Sequence, residues 1–182
     1  MSMTTKPELA AQKLLRELGW KKVPVLLEAI AERLGIELAD ESLGDELSGV
    51  LIKKEGEAVA IVVNADHHEN RRRFTIAHEI GHYVLRHPGE MFVDKTLRQR
   101  AVVVRRDGRS SEGTDRHEIE ANRFAAELLM PKHAIEEEVS RRLSKRKSPN
   151  ADALVADLAE LFQVSSQAME IRLVNLGYLI PD

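Results

Sequence analysis

The chain contains no cysteine. That excludes a disulfide framework, a thiolate zinc finger, an iron–sulfur cluster and a cysteine nucleophile, and it is compatible with a reducing cytoplasm. No apolar run approaches the roughly 20 residues of a membrane span. The net charge of −3 gives no overall pull toward nucleic acid or an anionic membrane. Met1 to Lys6 has no apolar stretch, which argues against a secretory signal. There is no internal repeat and no low-complexity tract. What is there suits a folded protein: 182 residues, 43% of them hydrophobic, bury a core without staples and are too apolar for disorder. We read residues 1–182 as a single domain, with a core over 1–143 and a C-terminal helical segment over 150–182. Histidine is the odd feature, because all seven lie between His67 and His133. Clustered histidine without cysteine asks for a metal or an acid–base explanation.

Helical spacing of Leu14, Leu15 and Leu18 predicts a first helix that Gly19 stops. A second helix is expected over Pro24–Leu34, with Gly35 as its end. The β-branched runs Gly49–Ile52 and Ala58–Val63 flank Lys53-Lys54-Glu55-Gly56-Glu57 and read as a hairpin. His68–His87 reads as one long helix closed by Pro88-Gly89. Met91–Val93 and Ala101–Val104 read as strands, and Asp107–Asp115 as a loop. Arg116–Met130 is expected to be helical, with Pro131 opening the next helix. Ser144–Asn150 reads as a linker. Ala151–Leu176 reads as two short helices parted at Val164-Ser165, with Ser165 as N-cap.

His78-Glu79-Ile80-Gly81-His82 is an HExxH pattern. Residues i and i+4 of a helix lie only about 40° apart around its axis, so both imidazoles can point at one ion. Glu79 is left free to take a proton from a water at that ion. Chance alone yields the pattern in roughly 3% of shuffled chains of this composition, so its setting matters. It sits among the apolar residues Phe74, Ile76, Val84 and Leu85, as a core-facing helix requires.

A catalytic zinc takes three protein ligands and keeps one position open. The third is sought in Glu118–Leu129. With Glu118 at 0° on a wheel, Leu129 and Asn122 fall at about 20° and 40°, and Ala125 and Ala121 at about 340° and 300°. Arg123, Glu127 and Glu120 fall on the other side, at about 140°, 180° and 200°. The wheel thus sets Glu118 and Asn122 on the apolar face, where a carboxylate needs a cation. It selects Glu118 as third ligand and leaves Glu120 solvated, with no part in metal binding. Asn122 is expected to accept the outer N–H of a ligand histidine.

Arg72-Arg-Phe-Thr-Ile-Ala-His-Glu-Ile-Gly-His-Tyr83 resembles the active-site helix of the ImmA/IrrE metallopeptidases. Ser110–Pro131, with its His-Glu-Ile-Glu-Ala-Asn-Arg-Phe-Ala-Ala-Glu-Leu-Leu-Met core, resembles the family's second signature. Leu47-Ser-Gly49 and Ile61-Val-Val-Asn64 are also similar, and the likeness runs from about Leu26 to Pro131. It implies an α+β, zincin-like metallopeptidase domain, mostly helical, with a small twisted sheet packed on the active-site helix. It implies a gluzincin-like zinc site of His78, His82 and Glu118, with Glu79 as general base and manganese as an alternative activating metal. Family members commonly cleave a helix-turn-helix (XRE-type) repressor in stress, DNA-damage or mobile-element responses. The partner implied is therefore a protein substrate in the cytoplasm, with no direct nucleic-acid or membrane contact.

Weaker signals leave alternatives open. Tyr83, His87 and His117 are all near enough in sequence to donate to an oxyanion. Ala58–Asn64 is either an edge strand that pairs with an extended substrate or a plain core strand. His67 and His68 read as capping-loop or surface residues rather than metal ligands, and His133 as exposed. Arg71-Arg72-Arg73 is either an attractor of acidic groups or a solvated first turn. Arg141–Lys147 reads as a solvated basic linker. A rival function rests on Leu158–Leu176, whose cadence is that of a helix-turn-helix, with Gln167, Glu170 and Arg172 read as outward and Ala168, Ile171 and Leu176 as packing. On that reading the chain is a DNA-binding or repressor-sequestering module with little or no peptidase activity.

Overall fold

The structure is a computed structural model, and it describes residues 4–44, 47–53, 58–88, 111–144 and 150–180. The strands expected over 91–93 and 101–104, the turn 54–57 and residues 145–147 of the basic linker lie outside the described residues, while Arg141–Leu143 are the end of a helix rather than linker. The chain folds as two compact units. One holds residues 26–122 and the other residues 1–25 and 123–182. No helix among the described residues is long and apolar enough to cross a membrane.

The first unit begins with α2 (Leu27–Leu34), which starts three residues later than expected, with Leu26 as its N-cap in an extended conformation. Gly35 ends it in the left-handed region, where its N–H reaches the carbonyls of Ala31 and Glu32. Three strands follow: β1 (Ile36–Glu41), β2 (Gly49–Ile52) and β3 (Val59–Asn64). Their order is β1-β3-β2, with β1 parallel and β2 antiparallel to β3. The β2–β3 pairing is that of the expected hairpin. β1 was not foreseen, because its Glu37, Ala39, Asp40 and Glu41 are poor strand formers and only Ile36 is buried. β3 is the central strand, paired on both sides, so the edge-strand reading of Ala58–Asn64 is wrong and the core reading holds. Ile61, Val62 and Val63 are all buried, as a strand covered on both faces requires.

Asn64 closes β3. Its Nδ2 donates to the carbonyls of Gly44 (2.7 Å) and Leu47 (2.9 Å), and its Oδ1 accepts from the Asp66 N–H at 3.1 Å. One buried amide thereby ties down the chain leading into β2.

Helix α3 (Glu69–Val84) packs on β2 and β3. His68 is its N-cap, with Nδ1 accepting from the Asn70 N–H at 3.2 Å. Gly49 lets β2 approach: a Cβ there would lie 2.4 Å from the Thr75 methyl. The arginine run is solvated only in part. Arg71 donates to Ser48 (2.9 Å), Arg72 pairs with Asp40 (2.5 Å), and Arg73 is buried, its charge favoured by Glu28 and Glu69. α4 (Ser111–Leu129) starts earlier than expected, so 111–115 is helix rather than loop. The division between the units falls within α4.

The second unit comprises α1 (Lys6–Glu17), the end of α4, α5 (Lys132–Leu143), α6 (Ala151–Phe162) and α7 (Ser166–Leu176). Ser165 caps α7, its Oγ accepting from the Ala168 N–H at 3.1 Å, as read from the sequence. Gln167 and Glu170 of α7 face outward as expected, but Arg172 and Ile171 do not face as read. Ile171 is 55% exposed, while Arg172 is only 4% exposed. Arg172 reaches the Met130 carbonyl (3.1 Å) and pairs with Glu127, itself 2% exposed. Glu127 also accepts from Gln12 (3.0 Å) and from the Lys132 N–H (3.1 Å). A carboxylate so placed contradicts the polar side that the wheel gave Glu127, because a buried guanidinium supplies what water would.

This buried pair predicts a stability effect. Glu127→Ala leaves Arg172 with Glu8, at 3.9 Å, as its remaining carboxylate partner and should cost about 3–5 kcal/mol, whereas the joint change Glu127→Leu with Arg172→Met should cost far less. Urea unfolding followed by circular dichroism measures both, and a loss under about 1 kcal/mol in the single variant contradicts the pairing.

Candidate metal centre

Helix α3 brings His78 and His82 to one side, one turn apart, with Nε2 atoms 2.9 Å from each other. Glu118, from the early part of α4, brings its carboxylate to both: Oε2 is 3.1 Å from His78 Nε2 and Oε1 is 3.5 Å from His82 Nε2. These three form a group able to hold a metal ion, and among the described residues no other group of this kind occurs. Donors around a tetrahedral zinc, at bonds of 2.0–2.1 Å, lie roughly 3.3 Å apart. The three separations bracket that value.

Hydrogen bonds outside the cluster say which way the imidazoles are turned. His78 Nδ1 lies 2.9 Å from Asn122 Oδ1. An amide oxygen only accepts, so Nδ1 carries the hydrogen and Nε2 presents its lone pair to the cluster. Asn122 thus lies where the outer N–H of His78 needs an acceptor. On this assignment an imidazole lone pair and a carboxylate face the same point, and such a set of electron-pair donors fits a cation.

Burial, reinforced by the neighbouring His78, pushes His82 down to about 4, so it is neutral and able to ligate at ordinary pH. Burial together with the Glu118 charge pushes Glu79 up to about 7, opposed by the Lys53 ammonium. Lys53 is itself lowered by burial and reaches the His87 carbonyl at 3.5 Å. A divalent cation beside Glu79 would favour its ionised form, the one that accepts a proton.

The wheel chose between Glu118 and Glu120 for a reason the structure does not support. Glu118 is the more exposed of the two, at 41% against 27% for the side chain. Asn122 is exposed too, and the buried positions of α4 are Ala121, Phe124, Ala125, Glu127, Leu128 and Leu129. The apolar face therefore centres near Leu128, and Glu118 lies on its flank.

Sequence reasoning read His87 only as an oxyanion candidate and Glu120 only as solvated, and missed the contacts that join them. α3 ends in a Schellman turn, in which Arg86 takes a positive φ of 56° and the His87 N–H returns to the His82 carbonyl at 3.0 Å. That reversal lays His87 against His82, with Nδ1 atoms 3.1 Å apart, while His87 Nε2 meets Glu120 Oε2 at 3.2 Å. His117 stacks on the His87 ring at 4.5 Å. Both ring nitrogens of His87 are engaged, which removes it from the oxyanion candidates. The signal available in sequence was the positioning of Arg86-His87-Pro88 just past the helix end.

The family described as IrrE N-terminal-like domain, a peptidase family (M78), matches residues 31–174. No curated protein matches the chain.

The raised Glu79 has a measurable consequence in the metal-stripped protein. Between the ordinary carboxylate value of 4.5 and about 7, the folded state keeps a proton that the unfolded state has lost. Stability from this group is therefore present at low pH and declines as pH rises through that window. Glu79→Gln lacks the decline. The variant should gain on the parent between pH 5 and 8, by an amount on the order of 2 kcal/mol, while the opposite shift of His82 is common to both and drops out. Urea melts in a chelator across that range test it, and a gap that does not change with pH contradicts it.

Proposed function

The chain belongs to the ImmA/IrrE family of peptidases, and from that membership we propose that it is a zinc-dependent endopeptidase. We take its substrate to be a helix-turn-helix (XRE-type) repressor, cut at a specific site in a stress, DNA-damage or mobile-element response. The observation that carries the metallopeptidase reading is the convergence of His78 and His82 of the HExxH helix with Glu118 of α4, with Glu79 beside them. The substrate class rests on the family resemblance.

Zinc, held by His78, His82 and Glu118, would supply Lewis acidity toward the attacking water and the scissile carbonyl, with manganese able to serve in its place. Glu79 takes the proton of that water and delivers it to the leaving amine. Asn122 holds the His78 ring in place from outside. With a repressor as substrate the protein works in the cytoplasm and needs no contact of its own with DNA or a membrane. The rival DNA-binding reading loses its cation, since Arg172 is buried against Glu127 and α7 exposes Gln167, Glu170 and Ile171. That set holds no cation for a phosphate backbone.

The test is co-incubation with the product of a neighbouring repressor gene, with and without zinc or manganese, read by the masses of the fragments. Glu79→Gln should keep the metal and lose cleavage by at least about 100-fold. Glu118→Ala should lose the metal as well. A Glu79→Gln protein that cuts at the parent rate overturns the mechanism.

A further inference from the structure

Behind His82 runs a chain of side chains that the proposed reaction does not use. His82 Nδ1 faces His87 Nδ1 at 3.1 Å, His87 Nε2 faces Glu120 Oε2 at 3.2 Å, and Glu120 Oε1 accepts from Arg116 Nε at 3.0 Å. The direction of every bond follows from its far end. A carboxylate only accepts, so His87 Nε2 carries the hydrogen. Two imidazole nitrogens 3.1 Å apart share one hydrogen, and an Nε2 that binds a metal leaves the hydrogen of His82 on Nδ1. A neutral imidazole bears one N–H, so His87 Nδ1 is bare and must accept. The nitrogen that faces it is His82 Nδ1, which must then donate. His82 is left with its Nε2 lone pair pointing at His78 and Glu118.

We propose that His87 and Glu120 are positioning residues that fix the tautomer of His82, Glu120 acting through His87 to present the His82 Nε2 lone pair to the metal. This rests on the metal reading above. It also assigns a role to the carboxylate that the helical wheel treated as merely solvated. The two ligand histidines are held from outside by different means: His78 by one amide oxygen, His82 by an imidazole that is itself oriented by a carboxylate. The stack of His117 on His87 holds the plane of the intermediate ring. The Schellman turn at Arg86 is what brings His87 back to this place. Outer partners of this kind affect metal affinity by about 10–100-fold.

Two measurements on the full chain decide the matter. The first is the imidazole nitrogen-15 spectrum of the metal-free parent. His87 should appear as the Nε2–H tautomer, and in Glu120→Gln it should become a mixture, since an amide can donate as well as accept. An Nδ1–H tautomer for His87 in the parent overturns the relay, as does a spectrum unchanged by Glu120→Gln. The second is zinc affinity by chelator competition. Glu120→Ala and His87→Ala should bind about 10–100-fold more weakly than the parent, Glu118→Ala more weakly still, and His87→Gln, whose carbonyl can accept from His82, should recover part of the loss. Glu120→Ala is a partly exposed change that guards against misfolding of the buried His87 variants. Parent-like affinity in both Glu120→Ala and His87→Ala overturns the proposal. A parent chain that binds no zinc overturns the metal reading instead, and the His87 tautomer, read without metal, still decides the relay.

Discussion

Three groups that offer electron pairs meet at one point, and unfavourable charge and dipole contacts of that kind need a framework to hold them. Left alone, a carboxylate and two inward-facing imidazole lone pairs would repel and turn toward water. The first unit resists this with packing. Ile76, Ala77, Ile80 and Gly81 of α3 are buried, and α3 lies on β2 and β3. Gly49 permits the close approach of β2 to Thr75, and Asn64 holds the chain leading into β2. The helix is then rigid enough that its one-turn spacing, rather than side-chain adjustment, sets the distance between the two rings.

How much of this could be read from sequence depended on whether the information was local. The HExxH helix was legible because its geometry is decided within five residues, and so were the caps at His68 and Ser165. The hairpin followed from β-branching, and the α+β class from the family resemblance. β1 was not legible, since its place is set by parallel pairing with β3 rather than by its own composition. The third donor lay between these cases. Glu118 was named for a burial it does not have; what brings it to the histidines is its place in the first half of α4. The bonds that join His87 to His82 and Glu120 were missed because they need a helix cap and a contact across 33 residues, neither of which a wheel contains.

Resemblance and role need not coincide residue by residue. Asn64 belongs to a stretch similar to the family, yet its amide is spent on the carbonyls of Gly44 and Leu47. Arg71 and Arg72, at the head of the resembling helix, are engaged by Ser48 and Asp40. These residues secure the approach of the chain to α3. A substitution at any of them would lower activity through the fold, and only a measurement that separates metal affinity from stability would tell it from a change in the site.

The second unit applies the same rule with opposite charge balance. There a guanidinium and a carboxylate are both buried, and each supplies what the other has lost in leaving water. Such a pair rarely adds net stability over a well-packed apolar one, so its consequence lies in orientation. Arg172 can sit inward only with α7 rotated to bring it to Glu127 and the Met130 carbonyl, and that rotation is what leaves Ile171 outside. The one cation that the sequence reading set on the outward face of α7 is thereby committed inward. In the cluster around His82 the charges are incomplete and ask for a cation; around Arg172 they are already closed, which is why the chemistry is sought at the first and not at the second.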